Sequence, residues 1–476
     1  MTHQKCLTVK DMNSMKRRYN IMQEKICCKE IDKHAEELSA LAMKIWENPE
    51  MGWHEKKASS WTAEYLKSQG FEVELGAYGM PTAVRAVWGK GHPVIGFCGE
   101  YDCLPGLSQK ACSHQEPVVE GGIGHGCGHN LLGVGCVAAC LGLKAELEAS
   151  GKEGTVIYYG CPAEEQLTGK GFMAKRGAFY ECDLTITWHP GTSNQATLGV
   201  NNGVQGAIFH FKGKTSHAAG NPWNGRSALD AAQLMNMGVE FLREHVTDDV
   251  RMHYQYLDAG KAPNIVPDTA AVKYFVRALT WDSVADAYKR VIKCAEGAAH
   301  MTETEVTVEN LGGIYPTMQN RVMSDVMQRM REEIPVPEYT EEELKFADEI
   351  NRTSPLYVEG VTPPIDYEVK PLGNFNGGGS TDYGDVAHIC PGVMCPGCTA
   401  PTLSGGHSWM ITAASGTSIG VKGMLYQAKI MAAGAFEMVK DPALVEAAKK
   451  EFEESMGGKK YECPITDEIP WPYDED

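Results

Sequence analysis

GHGCGHN, residues 124–130, sets Cys127 and His129 two positions apart in a glycine-rich turn, and LLGVGCVAACLGLKAEL, residues 131–147, follows at once. The second stretch carries apolar residues at helical spacing, which predicts a loop opening straight into a buried helix that fixes both side chains. A thiolate and an imidazole so placed can grip one metal ion. C-x-H is a weak pattern in a chain of 16 cysteines, so its weight rests on what the flanking segments bring to it.

Just upstream, VIGFCGEYDCLPG (94–106) reads as an apolar strand over 94–98, with Asp102 past its carboxyl end. Downstream the arrangement recurs twice: TVIYYGCPAEEQ (155–166) runs into Glu164 and Glu165, and LTITWHPG (184–191) ends at His189. Near-continuous apolar strands separated by helices predict an α/β fold with a mostly parallel sheet covered on both faces. Ligands of such sheets bind beyond the carboxyl ends of the strands. Asp102, Cys127, His129, Glu164, Glu165 and His189 are therefore expected on one rim, a mix of donors that suits zinc or manganese. Before this core, helices are expected over 29–46 and 58–69 and strands over 72–75 and 83–88.

Composition limits the class. The chain has 476 residues, enough for two ordinary domains, with 43% hydrophobic and 22% charged residues, as in globular proteins. No run approaches the roughly 18 apolar residues of a membrane span, and the N-terminus lacks the apolar core of a secretory signal, so a cytoplasmic setting without membrane attachment is expected. Scattered cysteines in apolar runs argue for reduced thiols, and CPGVMCPGC (390–398) reads as a loop. With 44 basic against 62 acidic residues and a net charge of -18, the chain lacks a nucleic-acid footprint. An acidic substrate would need local cationic partners.

From 204 to about 311 the pattern changes to strand, helix, strand, helix, which predicts a small inserted α+β sandwich between the two parts of the catalytic domain, 20–203 and 312–455. Residues 335–370 read as a surface excursion with a helix over 341–352. NFNGGGSTDYGDV (374–386) lacks the ending of a phosphate loop, and its glycines, 377–379, are expected to allow tight turns. SGGHSW brings in His407 ahead of a long helix over 415–439, and the tail ending YDED is expected to be solvated.

GEYDCLP, GHGCGHN, CPAEEQ, the strand-end His189, GKTSHAA and GGHSW resemble, in order and spacing, the signature of the dinuclear metallopeptidase and amidohydrolase family of carboxypeptidase G and hippurate hydrolase. The resemblance runs from about residue 29 to 448, and the cysteine in GHGCGHN points to the amidohydrolase branch. It implies a zinc-peptidase-like catalytic domain with a lid and dimerisation domain. Two divalent ions, manganese or zinc, would be held by Cys127, His129, Glu165, His189 and His407, with Glu164 as general base and Asp102 supporting the ligands. His217 and Asn264 would hold the transition-state oxygen, His217 reaching a partner's site, and Arg277 the substrate carboxylate. Where the family has an acidic pair followed by phenylalanine, this chain has Ser380-Thr381-Asp382-Tyr383, a departure shared with the p-aminobenzoyl-glutamate branch.

The expected reaction is hydrolysis of N-acyl amino acids, p-aminobenzoyl-glutamate first among them. Other aroyl or indoleacetyl amino acids and dipeptides are alternatives. The expected assembly is a homodimer through the lid or a heteromer with a related A-type chain, and a non-catalytic chain paired with an active homologue is a further alternative. Trp188, Trp409 and Trp223 are candidates to stack on an aromatic acyl group, and Arg226 is a second candidate for a carboxylate.

Overall fold

The computed structural model describes residues 25–374 and 376–473. The N-terminal stretch read above as lacking the core of a secretory signal, residues 1–24, and the last three acidic residues, 474–476, lie outside them. In chain order the strands are β1 (Glu72–Leu75), β2 (Val84–Lys90), β3 (Val94–Glu100), β4 (Gly154–Cys161), β5 (Leu184–Gly191), β6 (Ser193–Asn194), β7 (Gly203–Lys212), β8 (Arg251–Asp258), β9 (Thr269–Ala278), β10 (Glu305–Ile314), β11 (Asp366–Val369) and β12 (Gly392–Cys398).

The first sheet has the order β1-β2-β4-β3-β5-β12. Its β4, β3, β5 and β12 run parallel, and β2 and β1 add an antiparallel edge. Parallel strands bury both faces, and the centre of β3, β4 and β5 is accordingly apolar and inaccessible. The helix His129–Ser150 lies across β3, and its glycines permit the approach: a Cβ on Gly133 would meet the Glu100 carbonyl oxygen at 2.4 Å. This helix is long and apolar enough to cross a membrane, but 89% of its apolar window is buried in the protein.

The second sheet, β10-β7-β9-β8, is antiparallel throughout. The helices Ala228–Leu242 and Trp281–Thr302 cover one face, sharing a core with Phe209, Phe211, Val272 and Val276. Two of its strands, β8 and β10, are additions to the strand, helix, strand, helix pattern expected from the sequence. Both are edge strands, β8 mostly exposed and β10 exposed over its first half only, so neither carries the apolar alternation that marks β7 and β9.

Several expectations are corrected. CPGVMCPGC is not a loop: its residues 392–398 form β12, buried on the sheet's edge beside β5. Pro396 disguises the strand, since proline is tolerated at a sheet edge where no ladder partner waits for an N–H. The helix expected over 29–46 breaks at His34 into Ile26–Lys33 and Ala35–Trp46. That expected over 415–439 forms as Ser418–Lys440, and a short helix not expected from the sequence, Trp409–Ser415, precedes it across Gly416, where the Trp46 ring sits so close that a Cβ would meet it at 2.4 Å. Gly377 to Gly379 have no left-handed backbone; Gly377 instead allows close approach to Asn201, whose Oδ1 a Cβ would meet at 2.5 Å. Tyr473, first residue of the tail's YDED, is not solvated but packs edge-on to Trp53 and hydrogen-bonds Thr82 at 2.6 Å.

Candidate active site

The rim above β3, β4 and β5 gathers the strand-end residues. Glu100 ends β3 and Asp102 follows it, both buried. The intervening loop returns through paired hydrogen bonds between Leu104 and Gly124 of 3.1 and 3.0 Å, which bring Cys127 back over the strand ends. Gly128 then turns the chain into the helix with φ 78°, pressed so close to Pro190 that a Cβ would lie 3.0 Å from its ring. A side chain there would be strained and would push the Cys127 loop off the His189 segment.

Hydrogen bonds orient both rim imidazoles. His129 Nδ1 donates to Asp102 Oδ1 at 2.8 Å, and His189 Nδ1 to the Pro190 carbonyl at 2.7 Å, so each ring turns Nε2 inward. His189 Nε2 lies 3.3 Å from Cys127 Sγ. Glu164 and Glu165 occupy a single 3-10 turn between Ala163 and Leu167, non-glycine residues with φ 55° and 59°. Such backbone strain persists only where neighbours enforce it. Here Asp102 Oδ2 accepts from the Glu165 amide at 2.9 Å and Glu55 Oε1 from the Ala163 amide at 2.7 Å. His407, itself at φ 51° and largely exposed, brings Nε2 to 3.5 Å from Glu165 Oε2.

Three groups of donors result, each with its donor atoms within 4.8 Å of one another: Cys127, His129 and His189; Cys127, Glu165 and His407; and Glu100, His129 and Glu164. The first two share Cys127. His129 Nε2, Glu165 Oε1 and Glu100 Oε2 are buried without a hydrogen-bond partner, an arrangement proteins avoid unless another group satisfies such atoms. Thiolate, imidazole and carboxylate donors left open in this way fit divalent cations.

The electrostatics separate the carboxylates. Burial, with Glu100 and Asp382 nearby, pushes Glu164 well above the usual carboxylate range. Burial acts on Asp102 in the same sense, but its hydrogen bond to His129 and the charge there win and hold it low. Burial lifts the Cys127 thiol to about 12 and lowers His189.

The candidate residues of the second sheet's domain lie apart from this cluster in their polar contacts. His217 is exposed, and its Nδ1 accepts from the amides of Ala219 and Gly220 at 3.2 and 2.9 Å. Asn264, also exposed, meets the same segment through its carbonyl, which accepts from the Ala218 amide at 3.0 Å. Arg277, half-buried, donates to Ser380 Oγ at 2.9 Å, so it links the second sheet to the glycine-rich segment, and it has no ion pair among the described residues. Arg226 is engaged by Glu303 at 2.6 Å. Trp188 is core, fully buried with its indole N–H on the Leu132 carbonyl, and cannot stack on a ligand; Trp409 is half-buried and Trp223 exposed.

Three buried residues beside the rim receive no role from the sequence: Glu100, Lys170 and Asp382. Glu100 left a signal, since residues two apart at a strand end face the same way and Asp102 stands two positions on, and so did Asp382, which stands where the chain departs from the family's acidic pair; Lys170 left none.

Residues 200–302 match the model of the peptidase dimerisation domain. The chain is 37% identical over 457 residues to the B chain type of p-aminobenzoyl-glutamate hydrolase from Escherichia coli, covering 89% of this chain and 94% of that protein. It is 30% identical over 436 residues to Xaa-Arg dipeptidase of Mus musculus, covering 89% and 90%. Its fold matches that of a dinuclear metal-binding peptidase of the M20 family from Bacillus subtilis, with TM-score 0.59 and 14% identity over 86% of this chain and 99% of that one. The chain belongs to the M20 family of metallopeptidases and amidohydrolases. It is a hydrolase of amide bonds.

Proposed function

We propose that this protein hydrolyses the amide bond of N-acyl amino acids, with p-aminobenzoyl-glutamate the leading substrate, giving p-aminobenzoate and glutamate. The observation that carries the reaction type is a buried glutamate, Glu164, beside two donor groups that share Cys127. The identity with p-aminobenzoyl-glutamate hydrolase across 89% of the chain supports the substrate. Cys127, His129, Glu165, His189 and His407 would hold two divalent ions; the thiolate favours zinc, and the carboxylate and imidazoles admit manganese. When bound, such ions supply Lewis acidity that polarises an amide carbonyl and eases loss of a proton from water. Glu164 takes that proton and returns it to the departing amine nitrogen. Arg277, without a carboxylate partner of its own among the described residues, answers the carboxylate of the amino acid against the acidic background.

Comparison of kcat/KM for p-aminobenzoyl-glutamate, benzoyl-glycine, indoleacetyl-aspartate and an Xaa-Arg dipeptide tests the substrate. The first is expected to exceed the others by at least about tenfold, which is about 1.4 kcal/mol of transition-state discrimination. A preference for the dipeptide is the second reading, favoured by the 30% identity with the dipeptidase over a similar span.

Asp102 supports the site through His129. Asp102→Asn is expected to weaken metal binding about 10- to 100-fold, the usual cost of losing a carboxylate behind a ligating histidine, as read by titration of the metal-stripped protein.

The lid offers a surface for association. The helix Ala228–Leu242 exposes Leu234, Met237 and Phe241 on one stripe, and β8 has an unpaired edge. We infer a homodimer, or a heteromer with a related A-type chain, formed through this face, with the exposed His217 and Asn264 completing the site of the partner and holding the transition-state oxygen. Phe241→Glu is expected to halve the mass measured by light scattering during size-exclusion chromatography. A cytoplasmic setting completes this reading; the cysteines among the described residues form no disulfide.

A further inference from the structure

Lys170 is fully buried, and its surroundings are specific. Its Nζ lies 2.6 Å from Glu100 Oε1 and 2.5 Å from Asp382 Oδ1, while its backbone amide donates to Asp382 Oδ2 at 2.8 Å. Asp382 thus grips the lysine at both ends. Gly169 makes the placement possible, since a Cβ there would fall 1.7 Å from the Pro162 carbonyl oxygen, and the chain passes directly behind the Glu164 turn. Burial opposes a charge on Lys170, but the two carboxylates outweigh it and hold the lysine protonated.

One oxygen of Glu100 is taken by Lys170; the other, Oε2, has no hydrogen-bond partner and lies 3.3 Å from His129 Nε2, which also has none. With Nδ1–H given to Asp102, His129 faces Glu100 Oε2 with a lone pair at Nε2 when neutral and with an N–H when protonated, and in the protonated form the two make an ion pair. Two lone pairs facing each other in a buried pocket repel unless a cation or a proton lies between them. The separation is that of neighbouring donors around an ion with bonds of about 2.0–2.2 Å.

We propose that Glu100 is a further donor to the metal pocket and that Lys170, anchored by Asp382, is the positioning residue that turns its free oxygen toward the cation held by His129. The inference rests on His129 as a metal ligand. It also gives Asp382, where the chain departs from the family's acidic pair, a physical task. An unpaired buried lysine or aspartate is strongly destabilising, whereas removing both charges together is tolerated, so the pair can be deleted as a unit.

The test is cobalt(II) titration of the metal-stripped full-length protein, followed by visible absorption, with thermal melts of each metal-free protein alongside. Wild type is compared with Glu100→Gln, Lys170→Met and the double variant Lys170→Met with Asp382→Asn. Glu100→Gln and the double variant are expected to melt as cooperatively as wild type yet to bind at least one cobalt about 10-fold or more weakly. The d–d bands should shift while the thiolate-to-cobalt band from Cys127 persists, a pattern that a general loss of structure would not give. If Lys170→Met fails to fold, these two variants decide. Wild-type affinity and spectrum in both would overturn the inference and leave the site intact. Failure of wild type itself to bind cobalt would overturn the reading of the site, and this inference with it.

Discussion

Glu164→Gln is expected to cut kcat by about 100- to 10,000-fold while the protein stays folded and keeps its metals, because general acid–base transfer contributes on that scale and glutamine has the same shape without the proton affinity. This outcome would separate Glu164 from its neighbour. Glu165 shares a donor group with Cys127 and His407, whereas Glu164 points into the group of Glu100 and His129. The measurement is steady-state hydrolysis by metal-loaded protein beside metal content by elemental analysis. A variant that keeps its rate would place the base elsewhere and leave a binding role for this pocket.

The second large effect follows from sharing. Cys127 belongs to both the group with His129 and His189 and the group with Glu165 and His407, so Cys127→Ser weakens both at once. Serine is nearly isosteric, but its hydroxyl does not ionise near neutrality. Binding is expected to fall by about 100-fold or more, beyond the loss of a supporting carboxylate, and hydrolysis with it. Titration of metal-stripped protein reads the first quantity, and activity at saturating metal the second. His407→Ala, by contrast, removes a donor from one group only, and retention of the other ion distinguishes the two variants.

Much of the rim was legible because parallel strands impose a simple rule. Apolar runs ending in Asp102, Glu164, Glu165 and His189 mark the carboxyl edge of a sheet whatever its strand order, and the glycine-rich turn at Cys127 could only lead into the helix behind them. What stayed hidden depended on facts that sequence periodicity does not carry. The strand β12 contains a proline, which local rules read as a break although an edge position accepts it. The strand β8 exposes most of its side chains and β10 those of its first half, so polar residues conceal them. Lys170 and Asp382 are more than 200 residues apart, with a separation of 212, and look like surface charges until the fold buries them against each other. His217 and Asn264 are expectations carried by the family resemblance, and within one chain they meet only each other's segment of the second sheet's domain in the backbone pairing.

The most direct test of the central claim is release of p-aminobenzoate from p-aminobenzoyl-glutamate by protein stripped of metal and reloaded separately with manganese and zinc. The account predicts no release from the stripped protein and full recovery with at least one ion. Equal release with and without metal, or none with either ion from this or any other acyl amino acid tried, would contradict it.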